Sequence, residues 1–159
     1  MAMQVVKTIT QLQAKLQGIE RPLGLVPTMG YLHQGHLALM KCARSANPSV
    51  ITTIFVNPAQ FGEDEDGVTY PKDIKRDLAV LSKERVDLVF TPSIKEMYPR
   101  SFDTEVNVGN IGSRLEGMSR PGHFQGVATV LVKLIAITHP DRAYFGQKDA
   151  QQCLVVKQL

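Results

Sequence analysis

Residues 22–36, PLGLVPTMGYLHQGH, decide the architecture of this chain. Pro22 to Pro27 is a short apolar run of the kind that forms a buried strand ended by a proline. His36 to Ala46 (HLALMKCARSA) has the apolar spacing of a helix. A strand that enters a helix through a turn holding Gly30 and Gly35 is a building unit of a parallel sheet covered by helices. Glycine lets the backbone approach a ligand closely. A helix beginning near Gln34 turns free N–H groups and its positive dipole end toward that turn, which suits a phosphate. His33 and His36 lie three apart, so both imidazoles can face one ligand from the first helical turn and donate to phosphate oxygens. The plainer alternative is that one caps the helix while the other packs beneath it.

The same alternation continues on both sides. Thr8 to Gln17 carries Ile9, Leu12 and Leu16 at helical spacing, and Val50 to Val56 is a β-branched strand. An acidic turn, Glu63-Asp64-Glu65-Asp66-Gly67, reads as solvated surface rather than a metal site. Asp73 to Glu84 is a helix with Leu78 and Leu81 on one face, and Asp73 and Asp77 on it could reach Mg²⁺ only indirectly. Val86 to Phe90 is a buried strand stopped by Thr91-Pro92, and Glu105 to Val108 reads as a short strand. Gly122 opens a glycine-rich loop before a buried helix over Gly126 to Thr138. Arg142 to Phe145 is a last strand, and Asp149 begins a terminal helix. There is no internal repeat, so residues 1–159 read as one α/β domain with a Rossmann-like parallel sheet.

Composition excludes several classes of protein. The chain is 43% hydrophobic and 21% charged, so it can bury a core without help from disulfides or metals. Its two cysteines, Cys42 and Cys153, are too few for a disulfide framework or a zinc site and read as reduced, mostly buried thiols. No apolar run approaches the ~18 residues of a membrane span, and no signal peptide is visible, which together point to the cytoplasm. A net charge of +3 is spread along the chain and not gathered into a basic stripe, which favours a small anionic ligand over nucleic acid.

Three polar clusters each follow a strand directly: Thr28 to His36, Asn57 to Gln60, and Gly146 to Asp149. In open parallel sheets ligands sit beyond the carboxyl ends of the strands, so three such clusters on one rim would make one site. Asn57 and Gln60 offer amides that can bond a hydroxyl and a carboxylate together without the cost of burying a charge, although Asn-Pro alone is a common turn. Lys148 can place an ammonium on phosphates or lie solvated on its turn, and Asp149 is positioned to cap the last helix. Arg120 and His123 stand in a Gly/Pro-rich loop that either closes over phosphate or is simply stabilised by them.

The HxGH signature after a strand resembles the nucleotidyltransferase superfamily related to class I aminoacyl-tRNA synthetases. The longer string PTMGYLHQGH is similar to the pantothenate synthetase family within it. FVNPAQF at Phe55 to Phe61, YPKD at Tyr70 to Asp73, LEGMSRPGHFQGV at Leu115 to Val127 and PDRAYFGQKDAQQ at Pro140 to Gln152 continue that resemblance in order, over nearly the whole chain. It implies a fold of the HxGH nucleotidyltransferase type and an ATP-dependent ligase that joins pantoate to β-alanine through pantoyl adenylate, releasing AMP and pyrophosphate. It further implies that Met29, Gly30, Tyr31, Leu32, His33, Gln34, Gly35 and His36, with Gly146, Gln147, Lys148 and Asp149, line ATP. His36, His33 and Lys148 would assist the chemistry, Gln60 and Gln152 would hold pantoate near β-alanine, and Asn57, Arg120 and His123 would support them. Mg²⁺ would be held mainly through the ATP phosphates, and the family suggests a homodimer.

Members of that family continue into a smaller lid domain, preceded by a serine-arginine loop matching the KMSKS element of the superfamily. This chain stops at Leu159 before either, so the expectation is a chain that binds ATP and turns over poorly by itself. Two other readings compete: a related transferase that leaves the nucleotide attached to its product, and a non-catalytic nucleotide-binding module. The neutral amides Gln60 and Gln152 argue against the first, since a phosphorylated substrate would want basic side chains there.

Overall fold

Neighbouring residues in each central strand serve different faces of the sheet, and that alternation builds the molecule. The computed structural model describes residues 3–62 and 70–159, so the acidic turn at 63–67 lies outside the described residues. Strands β1 (Gln4–Val6), β2 (Leu23–Thr28), β3 (Ser49–Ile54), β4 (Leu88–Phe90) and β5 (Arg142–Ala143) form one sheet in the order β1-β4-β3-β2-β5, with every pairing parallel. Leu25, Ile51, Leu88 and Phe90 point to one side, where helices α1 (Ile9–Leu16) and α6 (His123–Thr138) cover them through Leu12, Val127, Leu131 and Leu134. Val26, Val50 and Val89 point to the other, under α2 (Gln34–Ala46) and α3 (Ile74–Lys83), with Met40, Ala43 and Leu81 filling the layer. Side-chain alternation at a period of two is what allows one strand to feed both layers.

Helix α6 is apolar nearly all round because it is enclosed: the sheet lies on one side and α7 (Ala150–Val156) packs on another. Two further short helices are α4 (Ile94–Met97) and α5 (Glu116–Ser119). The Rossmann-like α/β architecture read from the sequence is present. Local boundaries differ in several places. Strand β1 and helix α4 were not anticipated; each is at most four residues long, too short for a period to emerge. The buried helix begins at His123, three residues before the expected Gly126, so His123 belongs to its first turn and not to a loop. The segment Glu105 to Val108 is no strand. The Val106 N–H donates to the Thr129 hydroxyl at 2.9 Å, and Val106 and Val108 pack on Phe124 and Ala128 instead of joining a ladder. The last strand is two residues long, with the Tyr144 N–H making one more bond beyond it, to the Leu25 carbonyl at 2.9 Å.

The cysteines also differ from expectation: Cys42 is exposed and Cys153 half-buried. Cys42 lies two residues beyond Met40, on the face of α2 turned from the sheet.

Candidate functional site

β3, β2 and β5 are neighbours in the sheet, and the three polar clusters leave their carboxyl ends side by side. The chain runs from β2 outward through β3, while β5 returns on the opposite side of β2, so this rim is the point where strand order reverses.

The turn after β2 is held in a strained path. Gly30 and Tyr31 both have positive φ, at 88° and 52°. A side chain at Gly30 would crowd Ile54 and the Asp77 carboxylate. Thr28 donates its hydroxyl hydrogen to the Thr53 carbonyl at 2.7 Å and accepts from the Gly30 N–H at 3.2 Å. The key clamp comes from α3. Asp77, 1% exposed, accepts from the Tyr31 and Leu32 N–H groups at 2.8 and 2.9 Å. Arg76 beside it donates to the Leu32 carbonyl at 3.1 Å and lies over the Tyr31 ring at 5.2 Å.

The two histidines then cap α2. His33 Nδ1 accepts from the Gly35 N–H at 3.1 Å, and His36 Nδ1 accepts from the His33 N–H at 3.3 Å. Their rings stand 4.1 Å apart, centroid to centroid. With Nδ1 accepting in both, each neutral ring carries its hydrogen on Nε2 and can offer it to a ligand. Burial, and next the neighbouring His33, hold His36 below its ordinary pKa, which favours that neutral donor. Both capping and ligand-facing readings of the pair are therefore compatible with one geometry.

The turn after β3 is organised by Asn57, 1% exposed. Its amide nitrogen donates to the Gly126 carbonyl and to Gln60 Oε1, both at 3.1 Å. Its oxygen accepts from the Ala59 N–H at 3.3 Å and from the Tyr98 hydroxyl at 2.8 Å. Helix α6 comes so close that a β-carbon at Gly126 would stand 2.0 Å from the Ala59 carbonyl oxygen. His123 Nδ1 donates to the Gln60 carbonyl at 2.8 Å, leaving Nε2 at 3.1 Å from the Arg120 guanidinium as its acceptor. Arg120 also pairs with Glu116 at 2.8 Å. Asn57, Arg120 and His123 thus brace the Gln60 turn.

In the third cluster Lys148 is exposed and pairs with Asp149 at 2.9 Å, and that carboxylate raises the Lys148 pKa. Asp149 occupies the cap position of α7 but spends its side chain on Lys148, so the expected capping hydrogen bond is not made. Buried Gln151, which the sequence did not single out, ties α7 down: it donates to the Ile111 and Arg114 carbonyls and accepts from the Glu116 N–H.

These parts enclose two joined hollows. The outer, about 440 Å³, is lined by His33, His36, Arg120, His123, Lys148 and Asp149. The inner, about 150 Å³, has Asn57, Gln60 and Gln152 against Val127, Val130 and Leu131 of α6. Met29, His36, Gln60 and Gln152 border both. Met29, Gly35 and Gly146 reach the outer hollow as well, whereas Gly30 faces a separate recess, Leu32 is packed in the core, and Tyr31, Gln34 and Gln147 lie exposed outside the linings. Tyr70 borders both hollows, and burial raises the pKa of its phenol. Among the described residues no group of three or more His, Cys, Asp or Glu is arranged to hold a metal, and no helix is long and apolar enough to cross a membrane.

Asp77 was legible in part. It lies four residues before Leu81, so it falls on the buried face of α3, where a carboxylate needs a partner.

Residues 4–159 match the family model for pantoate-beta-alanine ligase. The pantothenate synthetase of Roseiflexus sp. (strain RS-1) is 59% identical over 157 residues, covering 99% of this chain and 56% of that protein. A crystal structure of pantothenate synthetase from Thermus thermophilus superposes with a TM-score of 0.95 at 52% identity, over 98% of this chain and 56% of that one. A pantoate-beta-alanine ligase from Francisella tularensis, complexed with beta-gamma ATP and beta-alanine, superposes equally well, with a TM-score of 0.95 at 42% identity, over 99% of this chain and 61% of that one. The chain spans little more than half the length of these relatives.

Proposed function

The chain belongs to the pantoate-beta-alanine ligase family, and on that membership we propose that its site binds ATP and pantoate and supports an ATP-dependent ligation of pantoate to β-alanine. One observation carries the proposal: a histidine-rich hollow, with Lys148 and Arg120 each paired to a carboxylate on its wall, opens into a smaller one that sets neutral amides against an apolar wall. The outer hollow suits a nucleotide triphosphate, with Nε2–H donors of His33 and His36 and the Lys148 ammonium available to its phosphates. The inner one suits pantoate, whose two methyl groups would lie on Val127, Val130 and Leu131 while its hydroxyls and carboxylate meet Gln60 and Gln152.

Their junction at His36 brings the two reacting groups together. A pantoate carboxylate oxygen would attack the α-phosphorus as the bond to the departing pyrophosphate breaks, giving pantoyl adenylate. The β-alanine amine would then attack the acyl carbon, release AMP and lose a proton. Charge grows on the phosphate oxygens in the first step, so neutral donors fixed by the backbone beforehand would lower that barrier most. The described residues offer Mg²⁺ no cage of their own, so the metal would arrive on the ATP phosphates.

Within this proposal residues 1–159 act as the nucleotide- and pantoate-binding domain of a cytoplasmic homodimeric enzyme, and turnover by these residues alone is slow. The test compares this chain with a chimera carrying the additional C-terminal residues of the Roseiflexus relative, supplied with ATP, pantoate, β-alanine and Mg²⁺. Free AMP and pantothenate, faster in the chimera, are expected. A product that keeps its nucleotide, or equal rates in the two proteins, would refute the assignment of reaction or of domain role respectively.

A further inference from the structure

Gln60 can present either its NH₂ or its carbonyl oxygen to the inner hollow, and the two ends attract opposite ligands. The surrounding network decides between them. The Ala59 N–H can only donate and the Gly126 carbonyl can only accept, so together they fix which end of the Asn57 amide is oxygen and which is nitrogen. Asn57 then donates to Gln60 Oε1, and the Gln60 NH₂ is left to face the hollow, where among the described residues it makes a weak contact to Met29 Sδ at 3.3 Å.

The Ala59 bond is long, at 3.3 Å, and the short one on that oxygen comes from Tyr98, at 2.8 Å. Tyr98 follows α4 and reaches across the fold. Its ring packs against Phe55 and Phe102, with centroids 6.1 and 5.1 Å away. Lys133 of α6, bonded to the Met97 carbonyl, sits over it at 5.4 Å. Burial pushes the phenol pKa up to about 12, so the hydroxyl stays protonated, and with the Asn57 amide oriented by Ala59 and Gly126 it donates to Asn57 Oδ1.

Resting on the pantoate assignment above, we propose that Tyr98 is a positioning residue that acts through Asn57 to hold the Gln60 amide with its NH₂ toward the bound acid, so that the site selects a carboxylate over a neutral donor group. Tyr98 does not line the inner hollow and works only through the relay.

The experiment measures two things in the wild-type chain, Tyr98→Phe and Asn57→Asp. Calorimetry gives the affinity for pantoate, for its primary amide and for ATP. Exchange of the Asn57 side-chain NH₂ hydrogens, followed by NMR, reports the relay without any ligand; the Asp variant has no such group and enters only the calorimetric comparison. Tyr98→Phe keeps the ring packing and removes one hydrogen bond, so the preference for pantoate over its amide should fall about tenfold, with ATP affinity unchanged. In Asn57→Asp a carboxylate faces Gln60, which must turn its NH₂ inward and show its oxygen to the acid. That variant should favour the amide. Asn57 NH₂ exchange should quicken about tenfold in Tyr98→Phe. An unchanged exchange rate overturns the relay even if pantoate does not bind. Failure of the wild-type chain to bind pantoate, with exchange quickened, overturns the ligand assignment and leaves the relay standing. Equal weakening for pantoate and its amide would mean that Tyr98 is merely structural, and would also overturn the proposal.

Discussion

The Asp77 carboxylate accepts the N–H of Leu32 at 2.9 Å, joining the buried side of α3 to the turn in front of α2. The same carboxylate takes the Tyr31 N–H, so one side chain satisfies two amides of a turn whose backbone is strained at Tyr31. Removing it would leave the buried Leu32 amide and the half-buried Tyr31 amide without this acceptor. Asp77→Ala should cost about 3 kcal/mol in chemical denaturation, with Asp77→Asn, which keeps one acceptor, losing about half as much. ATP affinity should fall with it, because the turn carries both histidines. An Asp77→Ala protein with wild-type stability would show that the turn holds itself.

Why was this clamp not plain in the sequence? Periodicity marks which face of α3 is buried, and that face includes Asp77, but it does not say what the face meets. The partner lies forty-five positions earlier and is backbone, which has no sequence identity. The histidines, the glycines and the amide turn were legible because they sit next to strands of clear apolar character. The segment Glu105 to Val108 misled because Val106 and Val108 alternate as a strand would, whereas their apolar side is used on α6 and no sheet edge is within reach. Tyr98 was silent for the opposite reason: one aromatic after a single helical turn has no pattern around it.

His36 gives a prediction in pH. Its pKa is depressed in the folded protein, chiefly by burial, from an ordinary value of 6.5. As pH falls below that value the unfolded chain takes up the proton first, so folded stability declines until the depressed pKa is passed and then levels. Denaturation at about pH 7.5 and about pH 5.5 should therefore show a larger loss for wild type than for His36→Gln. Parallel losses would mean that His36 titrates as it does in water. In the chimera, His36→Ala should slow pyrophosphate release by about 10²-fold, the scale of one lost transition-state donor, and a rate within about threefold of wild type would remove it from the chemistry.

Gln60 and Gln152 border both hollows but are assigned to the acid. Replacing either with Ala should weaken pantoate by about tenfold or more and leave ATP within about twofold, as titration of each ligand separately would show. An equal loss for both ligands would place these amides on the nucleotide instead.

Gly126 is tested by the smallest change. A methyl there meets the Ala59 carbonyl oxygen at 2.0 Å, backbone against helix, with no flexible atom to yield. Gly126→Ala should cost about 3 kcal/mol and loosen the Gln60 turn, seen as weaker pantoate binding than the stability loss explains. Gly18→Ala, with nothing within 4 Å of the added carbon, is the control and should change stability by no more than about 0.5 kcal/mol. If both variants unfold alike, α6 has room to shift.

Strand β5 has only two residues and pairs with Gly24 and Leu25, well over a hundred positions upstream. Synthesis proceeds from the N-terminus, so β1 to β4 and their covering helices are made before Lys148, Asp149 and Gln152. Both hollows border on residues from that final stretch. A growing chain can thus assemble four-fifths of its sheet and still have no complete pocket. Anything in the cell that recognises the finished pocket meets only molecules in which residues 142–152 have already docked, and a ribosome stalled ahead of Gly146 would display a half-built rim with the β2 edge open to other strands.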